Sequence, residues 1–324
     1  MSSVTTTDEG AATGRGIVHA PAAQVWTAMT IVYVVWGSTY LGIAVVVRTM
    51  PPLLAMSMRF LVAAAVLGLL LTLRRGRRAL AVPAAELRGA AVVGVLLLGV
   101  GMGMVTLAEQ YVPSGVAALV VSIMPVWVVI LRSATGDRPS RFTWAGVVLG
   151  FVGLVLLVRP GSQVAHAAGA TDAQRVLWSM LMPLGTMCWA VGSFLQPRIR
   201  TPRDPLVLST YEMLTGALAL GTVGLIRGER PSQFADASAQ SWAGWIYLVV
   251  IGSLIAYSAS VWVVGHAPLS LVATYAYVNP VVAVLVGFAV LGEPLTSGLI
   301  VGGSVIVAGV ALVVSGERRT RSRG

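Results

Sequence analysis

The chain has 324 residues, of which 56% are hydrophobic and only 10% charged, whereas soluble domains carry roughly 25% charged residues. That balance excludes a soluble globular protein and a disordered one. The net charge of +10 comes in short arginine clusters between apolar runs, the pattern of a membrane surface rather than of a nucleic-acid binder.

Taken in chain order, residues 1–25 are polar and small and read as a disordered tail. They lack the basic start and isolated apolar core of a cleaved signal peptide, so the first span is expected to act as an uncleaved signal. Ten apolar stretches follow, each near the ~20 residues that cross a bilayer: 26–47, 53–73, 89–107, 114–131, 142–158, 176–195, 206–226, 245–264, 269–291 and 298–315. The fourth abuts its neighbour closely and the fifth is short. The connections 159–175 and 227–244 are too short for a soluble domain, and 316–324 is a basic tail.

Arginine placement gives an orientation. With the N-terminus in the cytoplasm, sixteen of the 22 arginines fall in inside segments and five in outside ones, while Arg59 lies within a span. That bias follows the positive-inside rule with both termini cytoplasmic.

The two halves repeat. Trp36 and Trp189 are 153 apart, and Arg59 and Glu212 each follow their tryptophan by 23 residues. Pro113 and Pro125 are spaced like Pro268 and Pro280, and Gly146 and Gly153 like Gly302 and Gly309. Each unit, 26–158 and 176–315, then holds five spans, with 159–175 as an extracytoplasmic linker. An odd count makes the second unit enter from the opposite side. The expected fold is therefore all-α and polytopic, with ten transmembrane helices as two inverted five-helix repeats. In such repeats the substrate site lies near the midplane.

Three ionisable side chains fall in or beside spans, where charge is costly and defaults to a functional role. Arg59 and Glu212 each sit six residues, ~9 Å, inside their spans, from opposite sides. Arg59 either snorkels to headgroups or pairs with Glu109 at the end of the third span. Glu212 is either a proton carrier or a structural hydrogen-bonding group, and Glu109 either a solvated interface residue or part of a gate. Pro125 and Pro280 lie ~18 Å into their spans, near the midplane, where a proline bends a helix and frees a carbonyl. Asn279, Tyr275 and Tyr277 accompany Pro280, and Ser122 accompanies Pro125. Trp36, Ser38 and Tyr40, with Trp189 and Ser193 in the second unit, complete the candidate cavity set. Gly146-x-x-x-Gly150 and Gly298-x-x-x-Gly302 have the spacing for close helix contact, within one chain or in a dimer.

Catalytic and metal signals are missing from the sequence. No His-Glu-x-x-His, Gly-x-Ser-x-Gly or Walker pattern occurs, and His19, His166 and His266 are scattered. There is no lysine, so no Schiff-base or P-loop lysine, and Cys188 is the sole cysteine, so no internal disulfide or cysteine-clustered metal site. No cofactor and no metal are expected.

WGSTYLGI at 36–43, PPLLAMSMRF at 51–60, GMGMVTLAEQYVPSGVAALVV at 101–121 and TYAYVNPVVAVLVGFAVLGEPLT at 274–296 carry a resemblance. Over nearly its whole length the chain resembles the EamA-like family of the drug/metabolite transporter superfamily, and the third and fourth stretches resemble its YedA-like exporter subgroup. One departure is Asp137-Arg138-Pro139, where relatives often have Glu-Arg-Pro. The resemblance implies ten helices, cytoplasmic termini, a central cavity, and efflux of small metabolites, amino acids or amphipathic drugs. The expectation is a multi-pass exporter of the bacterial inner membrane, working as monomer or homodimer, with protons as candidate coupling ions. An uncoupled facilitator or importer is the alternative, a membrane-embedded enzyme a distant one, and a channel would need a continuous polar stripe that the spans lack.

Overall fold

Without water, a backbone must satisfy its own polar groups, and apolar runs of this length do so as helices. The computed structural model describes residues 21–136, 139–158, 169–266, 271 and 274–321, and among these there is no strand. The helices are α1 (Ala22–Val46), α2 (Pro52–Arg75), α3 (Ala84–Ala108), α4 (Ser114–Ala134), α5 (Arg141–Val158), α6 (Asp172–Leu195), α7 (Pro205–Ile226), α8 (Ala239–Ile255, continuing as Ala256–His266), α9 (Tyr275–Leu291) and α10 (Ser297–Arg321). All but α8 and α9 contain a segment that meets the length and apolarity of a membrane span; in those two, Ala239–Ile255 and Tyr275–Leu291 are apolar but shorter stretches.

Several helices start earlier than hydropathy indicates, because polar caps extend them. Thr171 caps α6, with its hydroxyl accepting from Gln174 N–H at 3.2 Å and its own N–H donating to the Gln174 side chain at 2.9 Å. The Ser238 hydroxyl caps α8 by accepting from Ser241 N–H at 3.1 Å. Helix α1 begins at Ala22, inside the expected tail, and α10 runs on to Arg321, into the basic one. Residues 1–20, Asp137, Arg138, His166 and Pro268 lie outside the described residues.

Helices α5 and α10 pack along each other, and their glycines set the distance. A Cβ on Gly146 would meet Gly309 O and Val313 N at 2.7 Å; one on Gly309 would meet Gly150 N at 2.5 Å. The small-residue stripe is thus occupied within the chain. Helix α2 packs on α7, and α1 on α9. Leu73, Val155, Ile226 and Val290 face outward and are exposed, as on a lipid-facing surface.

Three irregularities sit inside the bundle. Helix α4 breaks at Ser122–Ile123, between Ser114–Val121 and Met124–Ala134. Pro125 has no N–H for the carbonyl of Val121, so the second segment starts afresh there. Helices α3 and α8 each widen into a π-helical stretch, Val95–Gly101 and Leu248–Ile255. Such stretches are frequent at functional sites.

Candidate functional site

The irregular segments surround a cavity of about 290 Å³. Helix α1 presents Trp36, Thr39, Tyr40 and Ile43 to it, the i, i+3, i+4, i+7 face of one helix. The break in α4 contributes Ser122 and Pro125, and α9 contributes Tyr275, Asn279 and Pro280. Trp189 enters from α6, and the π stretches bring Leu97 and Leu98 from one side and Gly252 and Ser253 from the other. Gly37 lets α1 approach α9, since a Cβ there would meet the Val282 side chain at 2.7 Å and Asn279 O at 3.0 Å.

Both in-span charges reach this one cavity, Arg59 from α2 and Glu212 from α7. Arg59 is 5% exposed and turns inward rather than towards the headgroups. Its Nε donates to Ser253 Oγ at 2.9 Å, and its guanidinium lies 4.9 Å from the centre of the Phe60 ring. It makes no ion pair with Glu109, the partner considered from sequence: both Glu109 oxygens are buried without a hydrogen-bond partner. Glu109 is itself 3% exposed, not solvated at an interface. In the cavity, Glu212 Oε1 and Asn279 Oδ1 are buried and unpartnered, so they are the polar groups open to an occupant. Trp36 and Tyr275 meet edge-to-face at 5.3 Å and form an aromatic wall.

Of the candidate cavity residues, Trp36, Tyr40, Ser122, Pro125, Trp189, Tyr275, Asn279 and Pro280 line the space, and Ser38, Ser193 and Tyr277 do not. The Ser38 hydroxyl is spent on Val34 O at 2.7 Å and on Tyr247 OH at 2.6 Å, in the contact between α1 and α8. Tyr277 packs against the main apolar core. Sequence reasoning missed Ser209, Ser253 and Tyr257, where the Ser209 hydroxyl donates to Tyr257 OH at the cavity edge. The Gly252-Ser253 pair with a tyrosine four residues on was the available signal. It also missed two carboxylates that hold helix starts from a distance. Glu229 accepts from Leu53 N–H at 3.1 Å and Leu54 N–H at 2.8 Å at the head of α2. Glu293 does the same for α4. Nothing local marks a cap delivered from 176 or 179 residues away.

A space of this size is at the lower bound of the roughly 300–1,000 Å³ typical of small-molecule sites. It offers one cation, one carboxyl, an amide and aromatic faces to a small amphipathic molecule. Among the described residues, no group of three or more histidine, cysteine or acidic side chains is placed to hold a metal ion.

Comparison with known proteins matches the sequence model of the EamA-like transporter family at residues 25–159 and again at 176–315. The chain is 36% identical over 291 residues, 90% of each chain, to the uncharacterized inner membrane transporter YedA of Escherichia coli K12. It is 28% identical to protein PecM of Dickeya dadantii, covering 86% of this chain and 88% of that one. It is 23% identical to the uncharacterized transporter YoaV of Bacillus subtilis, covering 86% and 92%. A solved crystal structure, 23% identical, has the same fold with a TM-score of 0.60, covering 93% of this chain and 99% of that chain.

Proposed function

The chain belongs to the EamA-like transporter family, and from that premise we propose that it is a secondary carrier exporting small metabolites, amino acids or amphipathic drugs. It is a multi-pass protein of the cytoplasmic membrane, with a small molecule as substrate and the bilayer as solvent. Transport, rather than chemistry on a substrate, is the role that the family's name shares with those of the YedA and YoaV relatives.

The observation that carries the reading is Arg59 and Glu212 facing one small aromatic-walled cavity from two different helices. Neither charge is neutralised by an ion pair among the described residues. An occupant with an anionic and a cationic or hydrogen-bonding end satisfies both, and Asn279 Oδ1 accepts a further donor. Such a site suits an amphipathic metabolite better than an apolar one.

Two inverted five-helix repeats are the architecture we infer around it. The family match occurs twice. The π stretches fall in the third helix of each half, and the α5 and α10 glycines meet crosswise. Ten crossings fit the helix lengths: α9 rises ~26 Å over 17 residues, close to a core of about 30 Å, and α8 is longer. The cavity is lined from within one chain, which supports the monomer as the working unit, with the homodimer as the alternative.

Proton antiport is the coupling we favour, with Glu212 as the group that is protonated and deprotonated as the carrier changes face. Glu212→Gln keeps shape and removes the titration. With a substrate identified by a metabolite-toxicity screen, Glu212→Gln vesicles are expected to lose uphill export and keep downhill exchange. Uphill transport by this variant that still follows an imposed pH gradient would remove Glu212 from the mechanism.

A further inference from the structure

Two carboxyl groups lie within electrostatic reach of each other near the turn from α3 to α4, and they are in opposite situations. Glu293 is fully engaged. Its Oε1 accepts from the N–H and the hydroxyl of Ser114, both at 2.8 Å, and its Oε2 accepts from Gly115 N–H at 3.1 Å. Two of these donors are N–H groups left unpaired at the start of α4, where the helix dipole also favours negative charge. The fold makes room for the contact. Gly292, at φ +67, ends α9 in the left-handed conformation that glycine favours and turns the chain back. A Cβ on Gly287 would meet Glu293 Oε2 at 2.6 Å and Ser114 Oγ at 2.9 Å.

Glu109 closes α3 and has neither oxygen satisfied. Among the described residues, Glu293 and, from α1, Tyr40 are titratable groups in electrostatic reach of it. Helices α2 and α6 also pack against this end of α3 and bring two buried arginines, of which Arg175 keeps one guanidinium nitrogen without a hydrogen-bond partner. Arg59 donates to Ser253, and Arg175 donates to Asp172 through Nε at 2.9 Å and a terminal nitrogen at 2.7 Å. Burial, and then the charge of Glu293, push the Glu109 carboxyl well above the ordinary carboxylate range.

We propose that Glu109 is a proton-binding site separate from Glu212, and that its occupancy sets how firmly Glu293 clamps the start of α4. A buried carboxylate with a second negative charge in reach stays ionised only at high cost. Glu293 has three donors and Glu109 has none, so Glu109 is the member that takes a proton from the aqueous phase. With Glu109 neutral, the clamp is undisturbed. When the proton returns to water, repulsion acts on Glu293 and favours release of Ser114 and Gly115. That frees the head of α4, the helix whose break lines the cavity. The consequence for transport rests on the carrier reading above, but the proton site does not.

Difference infrared spectroscopy of the full chain in lipid, across a pH titration and without substrate, tests this. The wild type is expected to show a titrating carboxylic-acid carbonyl band. Glu109→Gln should lose one carboxyl's share of it, and Glu212→Gln should retain that share. Glu293→Gln removes the neighbouring charge and should move the Glu109 midpoint to lower pH. Glu109→Asp keeps a titrating carboxyl and should shift the band's frequency, which assigns the band even where the glutamine variant fails to fold. Three outcomes overturn the proposal: a Glu109→Gln spectrum identical to wild type, a midpoint indifferent to Glu293→Gln, or displacement of the band by sodium at constant pH. Because no transport is measured, failure of the exporter reading leaves this result standing, and the reverse also holds.

Discussion

At the scale of single residues, the account separates groups that face the cavity from groups that only lie beside it in sequence. Asn279 and Tyr277 are two positions apart, yet only Asn279 lines the space. Asn279→Ala is expected to reduce export about tenfold, the effect of ~1.4 kcal/mol lost with one hydrogen bond to an occupant. Tyr277→Phe, which keeps the ring packed in the core, should export at the wild-type rate. Initial rates normalised to membrane abundance decide it, and equal rates for both variants would move the site to another helix face. Much of the cavity was legible because a charge within a span is rare and a mid-span proline interrupts the helix ladder. Arg59, Glu212, Pro125 and Pro280 were found that way, and all four line the space. Ser38 and Tyr277 stood out equally, but helix rotation about its axis is not written in spacing to a proline.

At the scale of elements, the α5–α10 pair depends on glycines that bring backbone to backbone. Gly309→Leu puts a side chain where Gly150 N already lies 2.5 Å from a Cβ. Overpacking of this kind costs about 1–3 kcal/mol, so the purified variant should melt at a lower temperature than wild type in the same detergent. An unchanged melting temperature would show that the two helices are not held together at these glycines. The glycine spacing was visible in the sequence, while its use within one chain or between two chains was not. The break in α4 and the π stretches in α3 and α8 were not legible either. Hydropathy sees an unbroken apolar run through 114–131, and a π stretch changes the hydrogen-bond ladder without changing composition. The early start of α6 was hidden for the converse reason: its cap, Thr171 with Gln174, is polar.

At the scale of the whole molecule, the arginine bias and the duplication together predict one topology. Reporter fusions should place the turns 76–83 and 196–204 on the cytoplasmic side and 227–238 outside. Finding 76–83 and 227–238 on the same side would contradict the inverted repeat. The membrane-spanning character was legible from composition, 56% hydrophobic with 10% charged, and its helical form from apolar runs of about 20 residues. The long-range carboxylate clamps were not, since Glu229 and Glu293 meet helix starts far away in the sequence. The central claim is that the cavity bounded by Arg59 and Glu212 is offered to each side of the membrane in turn. Ser122 lines that cavity at the break of α4, and Cys188→Ala supplies a thiol-free background. In that background, Ser122→Cys in intact membranes is to be treated with a membrane-impermeant maleimide from one face or the other. The account predicts labelling from either face when each is exposed alone, and reaction from one face only, or from neither, would contradict it.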